Sequence, residues 1–193
     1  MALERTALKK RRAGSAPGAV IKREMSWPIG IHVDEQAPDF ALKDEHGHEW
    51  RLSDKRGQVV VMLFYPGDET PVCTKQMCSV RDRWTDYLAT GAEIVGISTD
   101  TVESHHKFSE HHRLPFRLLA DPEGRVTSLY GVRSWLPGRS ARAVIVIDAH
   151  GIVRHRQVQP LSIFRPKDNQ VIEAIRVAQS DGASGRAATG APL

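Results

Sequence analysis

The sequence has few cysteines and no long hydrophobic run, and each scarcity excludes a class of protein. Cys73 and Cys78 are the only cysteines among the 193 residues, too few for a small secreted scaffold held by disulfides. The longest apolar stretch, residues 59–65, has the length of a buried strand and falls far short of the roughly 18 residues of a membrane-spanning helix. We therefore expect a cytoplasmic globular protein without a membrane association. Two thiols this close together indicate redox chemistry or metal binding.

Net positive charge is confined to one terminal segment. Residues 1–25 carry seven basic and two acidic side chains, a net +5, so the rest of the chain contributes −1 to the total of +4. This basic segment has no hydrophobic periodicity, and we predict a disordered tail. We expect a solvated segment rather than a nucleic-acid partner, with an Arg-rich transit peptide as the alternative. The Gly/Ala/Ser-rich residues 180–193 are also predicted to be disordered, which leaves one domain over residues 26–179.

Hydrophobic periodicity between the tails predicts an α/β domain. The sequence favours β-hairpins over residues 40–52 and 143–157, buried strands over 58–65 and 92–98, and a short extended segment at 116–119. Helices are predicted over residues 71–89, 101–113 and 167–178, with one or two helical turns at 126–130. In the first helix Met77, Val80, Trp84 and Leu88 have the spacing of a buried face, and Asp100 is the expected cap of the second. This order is that of a thioredoxin-like fold, a central mixed β-sheet flanked by helices with an N-terminal β-hairpin.

The segment between the first buried strand and the first long helix contains the features of a reactive thiol. Thr70 is a favourable N-cap residue, and Pro71 is favoured at the first helical position. Cys73 then occupies the first turn, where free N–H groups and the positive end of the helix dipole favour a thiolate. An inert thiol in a buried helix is the alternative interpretation.

The residues of this segment resemble a known family. Pro66, Thr70 and Cys73 stand in the Pro-x-x-x-Thr-x-x-Cys spacing of the peroxiredoxins, and Cys78, five residues further on, resembles the peroxiredoxin Q (bacterioferritin comigratory protein) branch. The similarity extends over residues 30–178. The chain departs from many members at Val72, where a glycine is common and where valine would narrow the pocket.

This resemblance implies a role for each residue of the motif. Cys73 would be the peroxidatic thiol that attacks a hydroperoxide, Thr70 would hydrogen-bond the peroxide, and Pro66 would shield the thiolate from water. The family's arginine corresponds to Arg142, with Arg139 as a competitor because the connection preceding the strand is long. Neither a cofactor nor a metal is expected.

The resemblance also makes Cys78 the resolving thiol, which would form an intramolecular disulfide with Cys73. Five residues along a helix correspond to about 500° of rotation and a rise of about 7.5 Å, whereas a disulfide needs Cα atoms within about 7 Å and converging side chains. We therefore expect the first turns to unwind during resolution, with reduction by thioredoxin or a similar dithiol. A monomer is expected, since no cysteine of a second subunit is needed.

Other functions remain open from the residues alone. A thiol–disulfide oxidoreductase favours Cys-x-x-Cys rather than the present spacing, and a Cys-based metal carrier needs further ligands near both thiols. The cluster His105, His106, His111 and His112 fits an exposed polar helix face or, less simply, a surface metal site. Lys75 is solvated or helps to hold the thiolate, and Trp135 lines the pocket or covers it.

Overall fold

The computed structural model describes residues 30–159 and 166–184, which form one α/β domain. Its strands are β1 (Ala41–Asp44), β2 (Glu49–Arg51), β3 (Val60–Phe64), β4 (Glu93–Ser98), β5 (Arg117–Ala120), β6 (Arg142–Ile147) and β7 (Val153–Gln159). Its helices are α1 (Pro71–Asp82), α2 (Trp84–Leu88), α3 (Val102–His112), α4 (Arg125–Leu129) and α5 (Asp168–Ser184).

All seven strands belong to one mixed sheet of order β2-β1-β5-β4-β3-β6-β7. Strands β3, β4 and β5 are parallel, as expected where helices cross between them, and β6 and β7 form an antiparallel hairpin beside β3. The predicted N-terminal hairpin is present and joins the same sheet through β1 and β5.

The central strand β3 is buried on both faces, so its residues divide between two hydrophobic layers. Val61 and Leu63 pack with residues of α1, α3 and α5, whereas Val60, Met62 and Phe64 pack with the N-terminal hairpin and α4. This division follows from the two-residue repeat of a strand. The continuous apolar run of β3 therefore reflects its position in the middle of the sheet.

The predicted helix over residues 71–89 is interrupted at Arg83, whose φ of −108° and ψ of 20° separate α1 from α2. Met77 and Val80 are buried as expected, but Leu88 is 58% exposed and Tyr87 is buried instead. The break shifts the helical phase, so the prediction for Leu88 is wrong. The Tyr87 hydroxyl reaches Asp168 at the start of α5, at 2.9 Å.

Helix α3 begins one residue later than predicted. Thr101 is the N-cap, and its Oγ1 accepts a hydrogen bond from the Ser104 amide at 3.3 Å. Asp100, the predicted cap, instead accepts hydrogen bonds from the Ser98 hydroxyl and the Asp68 amide. Because the Asp100 carboxylate is hydrogen-bonded to Ser98 and to the loop before α1, it does not cap the first turn of α3.

The terminal segments are described only in part. Helix α5 continues to Ser184, so residues 180–184 are helical rather than part of a disordered tail. The ring of His150 contacts the Gly182 carbonyl at 3.1 Å, which attaches this last turn to the sheet. The predictions for residues 1–25 and 185–193 fall outside the described residues. Within residues 30–159 and 166–184, no helix is both long and apolar enough to cross a membrane.

Candidate active site

The loop that follows β3 leads directly into the first turn of α1. Thr70 is the N-cap with an extended backbone, φ −75° and ψ 138°, and Pro71 occupies the first helical position. The Thr70 side chain does not cap the helix; its hydroxyl donates to the Gly67 carbonyl at 3.2 Å. A hydroxyl that donates in this way keeps its lone pairs for a further hydrogen bond. The predicted start of α1 is therefore confirmed, but the Thr70 side chain bonds the preceding loop instead of capping the helix.

Cys73 lies in the first turn of α1 against a buried arginine. Both Cys73 and Arg142 are 1% exposed, and Arg142 Nη2 donates to Cys73 Sγ at 3.2 Å. Arg142 is the first residue of β6, and it shares a sheet face with Val144 and Val146, which pack against the α1 side of the sheet. A permanent cation and the helix N-terminus thus both favour the Cys73 thiolate.

A glutamine not expected from the sequence completes this contact. Gln76 is buried, and its Oε1 accepts a hydrogen bond from Arg142 Nη1. The glutamine lies three residues after Cys73, hence on the same face of α1. One guanidinium therefore contacts both side chains, and the i, i+3 spacing from Cys73 is the sequence signal that could have identified Gln76.

Arg139 has a different position. Its side chain is exposed, and its Nη1 donates to the Pro66 carbonyl at 2.9 Å. A side chain at Gly67 would collide with this guanidinium and displace it from the Pro66 carbonyl. Arg142 therefore contacts the Cys73 thiol, whereas Arg139 hydrogen-bonds the loop before α1. Trp135, on the same connection, is 75% exposed.

A buried polar cluster fixes the other side of this loop. The Asp68 carboxylate accepts hydrogen bonds from the Tyr65 hydroxyl at 2.8 Å and from the Ser104 hydroxyl at 2.7 Å, and it lies 2.9 Å from His105 Nδ1. Burial alone would raise the pKa of Asp68, but the contacts with His105, Ser104 and Tyr65 outweigh it and lower the pKa. Burial and the neighbouring Asp68 raise the pKa of Tyr65 well above its ordinary value.

His105 belongs to this cluster rather than to an exposed helix face. Its ring is fully buried, and Nε2 lies 3.2 Å from the Leu119 carbonyl, an acceptor, while Nδ1 faces the Asp68 carboxylate. The expectation of an exposed histidine is therefore wrong for His105. No local pattern predicts this burial, because the partner Asp68 lies on another element.

Cys78 has separate surroundings on the outer side of α1. It is half-buried, and its Sγ lies 3.9 Å from His112 Nδ1 at the end of α3. His112 Nε2 in turn lies 3.1 Å from Glu69 Oε2, and His111 Nδ1 lies 3.0 Å from Glu69 Oε1. Both cysteines are free thiols. Lys75, considered as a partner for the thiolate, is exposed.

A mixed sheet that presents a cysteine at a helix N-terminus beside a buried arginine defines a thiol-based oxidoreductase. Residues 33–156 match the model of the AhpC/TSA family. Chloroplastic peroxiredoxin Q of Sedum lineare is 41% identical over 147 residues, 74% of this chain and 75% of the relative. That of Suaeda salsa is 43% identical over 159 residues, 79% and 74% of the two chains.

A solved structure agrees with these matches. The crystal structure of peroxidoxin BcpB from Mycobacterium tuberculosis superposes with a TM-score of 0.69 at 32% identity, covering 76% of this chain and 97% of that one. The chain belongs to the AhpC/TSA family, among the peroxiredoxins. The predicted family and thioredoxin-like fold are confirmed, and the protein is a thiol-dependent peroxidase, an oxidoreductase enzyme.

Proposed function

We propose that Cys73 reduces hydrogen peroxide and organic hydroperoxides to water or an alcohol, becoming a sulfenic acid that Cys78 converts to an intramolecular disulfide. Thioredoxin or a similar dithiol then reduces this disulfide. The observation that supports the proposal most strongly is the 3.2 Å contact between Arg142 Nη2 and Cys73 Sγ in the first turn of α1. The family supports the peroxide substrate and a thioredoxin-type reductant.

In the first step the Cys73 thiolate attacks one peroxide oxygen and the O–O bond breaks. The sulfur becomes S–OH, and the other oxygen leaves as hydroxide or alkoxide and takes up a proton. Ionisation alone contributes little, because a more acidic thiol is also a weaker nucleophile. The larger contribution comes from the Arg142 guanidinium and the free amides of the first turn, which stabilise the developing negative charge. The Thr70 hydroxyl, which donates to Gly67, accepts the hydrogen bond of the hydroperoxide O–H.

The near-complete burial of Cys73 favours small oxidants. Only 1% of the residue is exposed, so a substrate reaches the sulfur only when the covering side chains move. We expect hydrogen peroxide to react faster than cumene hydroperoxide, since the larger substrate requires a wider opening. Competition between the two substrates for the reduced enzyme measures this preference.

Resolution requires α1 to change conformation. Cys73 faces the core between the sheet and α5, whereas Cys78 faces α3. Five helical residues hold the two side chains about 140° apart around the axis, and the two sulfurs meet only if the intervening turns unwind. Amide exchange across residues 72–82 is expected to be faster in the disulfide form than in the reduced form. Equal protection in both forms would contradict unwinding.

Intact mass spectrometry after one equivalent of peroxide tests the disulfide directly. The expected product has lost two hydrogens and contains a peptide linking Cys73 to Cys78. Cys78→Ser should instead stop at an added oxygen on Cys73, and Cys73→Ser should consume no peroxide. A stable added oxygen in the unmodified chain would show a one-cysteine cycle and overturn the resolving role of Cys78.

The monomeric state and the cytoplasmic location remain predictions. The relatives from Sedum and Suaeda are named as chloroplastic proteins. Native mass spectrometry of the reduced and oxidised forms determines the number of subunits. A dimer would contradict the predicted monomer but would leave the intramolecular disulfide possible.

A further inference from the structure

Three side chains in successive contact begin at Cys78, the proposed resolving cysteine. Cys78 Sγ lies 3.9 Å from His112 Nδ1, and His112 Nε2 lies 3.1 Å from Glu69 Oε2. The three residues come from three elements: α1, the end of α3 and the loop before α1. A thiol, an imidazole and a carboxylate in this order form the arrangement by which enzymes activate nucleophiles.

The hydrogen bonds determine where the imidazole proton lies in the neutral ring. The Glu69 carboxylate only accepts, so His112 Nε2 carries the hydrogen, and Nδ1 presents its lone pair to the Cys78 thiol. The carboxylate is itself held by His111 Nδ1 at 3.0 Å. The contact with His111 lowers the pKa of Glu69 and outweighs burial, which would raise it, and His112 lowers it further, so the carboxylate is ionised near neutral pH.

Two further features suit this arrangement to proton transfer. Glu69 has a φ of 53°, a left-handed conformation that a residue other than glycine adopts only when its surroundings require it. Arg81 Nη1 donates to the His112 carbonyl at 2.7 Å, and its positive charge interacts favourably with a Cys78 thiolate. The site thus contains a proton acceptor and a cation next to the same sulfur.

We propose that His112 is the proton acceptor of Cys78 in disulfide formation and that Glu69 is a positioning residue that orients its ring. This inference rests on the proposed function, because it assigns the ionisation of the resolving thiol. A free thiol is only a few per cent thiolate at neutral pH, and only the thiolate attacks a sulfenic acid. A base beside Cys78 therefore increases the fraction of this thiol that reacts as the thiolate at neutral pH.

The atoms of the step balance without an external oxidant. The Cys78 proton moves to His112 Nδ1, and the thiolate attacks the Cys73 sulfur. The S–S bond forms, the S–O bond breaks, and hydroxide leaves and becomes water with the proton of the imidazolium. His112 remains on α3 while α1 unwinds, since Phe108 and His105 anchor that helix in the core.

The charged or ionisable groups around the thiol are Glu69, Arg81, His111 and His112. His106, on the same helix, pairs with Glu110 and provides a matched control.

The test measures the reactivity of Cys78 alone in a Cys73→Ser chain, by alkylation with iodoacetamide at pH 7. Replacing His112 with Gln should lower the alkylation rate about tenfold and move its pH profile to higher pH, because the thiolate fraction falls toward that of a free thiol. Replacing His106 with Gln should change neither. Equal rates in the His112→Gln and His106→Gln chains would overturn the inference.

A second variant guards against loss of folding. Glu69→Gln keeps the hydrogen-bonding shape but removes the charge that supports an imidazolium, and it should lower the alkylation rate two- to threefold. In chains that retain Cys73, stopped-flow fluorescence should show an unchanged rate of Cys73 oxidation and a slower disulfide step for His112→Gln. A chain that consumes no peroxide would refute the proposed function, while the alkylation contrast would still decide the role of His112.

Discussion

The two cysteines lie five residues apart on α1, about 1.4 helical turns, and have different surroundings. Cys73 is buried and contacts Arg142, a cation that keeps its charge at every physiological pH. Cys78 is half-buried and contacts His112, an imidazole that can accept a proton from a thiol. In the proposed cycle, the thiol that meets the oxidant lies beside a permanent cation, and the thiol that forms the disulfide lies beside a proton acceptor. One helix would then separate peroxide reduction from disulfide formation.

The largest expected effect comes from removing the cation on the Cys73 side. Arg142→Gln keeps a donor but deletes the charge, and it should lower the second-order rate constant of Cys73 oxidation by about 10²- to 10³-fold, the usual loss for a donor to a developing anion. Stopped-flow fluorescence over a range of peroxide concentrations measures it. Alkylation of Cys78 should not change, because Arg142 lies on the opposite side of α1.

Arg139→Gln is the matched control for this prediction. Its guanidinium contacts the Pro66 carbonyl and not the sulfur, so the rate constant should fall much less. If the two arginine variants lose equal activity, the distinction drawn between them is wrong.

The next effect concerns the stability of the loop before α1. Asp68→Asn leaves the buried His105 ring without its anionic partner, and breaking a buried pair of this kind costs about 3 kcal/mol of unfolding free energy. Urea unfolding at pH 7 measures the loss. Because the pKa of Asp68 is lowered in the folded state, its stabilisation is complete above the unfolded value of about 3.9 and decreases as the pH falls through the folded one.

The matched control for Asp68 is Asp82, an exposed carboxylate paired with Arg81. Asp82→Asn should cost little, as exposed ion pairs do. A constant difference between the Asp68→Asn chain and the unmodified chain from pH 7 down to pH 2 would show that the carboxylate charge is not the stabilising feature.

A smaller effect is expected from the residue that holds the arginine. Gln76→Leu removes the acceptor that Gln76 offers to Arg142 Nη1 and keeps the contact of Nη2 with Cys73 Sγ. We expect the rate constant of Cys73 oxidation to fall about tenfold, equivalent to about 1.4 kcal/mol. Gln76→Glu should retain more activity if acceptance of the hydrogen bond is the important feature.

The sequence predicted those parts of the molecule that depend on local pattern. Strand β3, the hairpin of β6 and β7, and the position of Cys73 in the first turn follow from apolar periodicity and from Thr70 with Pro71. The break at Arg83 was missed, because no proline or glycine marks it and the apolar spacing runs through it.

Contacts between distant elements were beyond prediction from pattern alone. The choice of Arg142 over Arg139 required the resemblance to a family, and the strand register then explained it. His105 and His112 share a helix face. His105 is nevertheless buried against Asp68, whereas His112 contacts Cys78 and Glu69. Their difference arises from the loop before α1, whose conformation the sequence does not reveal.

The smallest expected effect is that of Tyr65→Phe, which tests whether the surroundings of Cys73 and Cys78 are independent of each other. Tyr65→Phe removes the hydroxyl that donates to Asp68 Oδ1 at 2.8 Å, while Ser104 and His105 still satisfy the other carboxylate oxygen. We expect a loss of about 1 kcal/mol in unfolding free energy, the usual net value of one hydrogen bond, measured by urea unfolding. Tyr65 lies at the end of β3, on the loop that positions Cys73. The variant should therefore slow peroxide reduction slightly and leave the alkylation of Cys78 unchanged. A change at Cys78 alone would mean that the buried cluster controls the outer side of the helix, and the separation of the two environments would no longer hold.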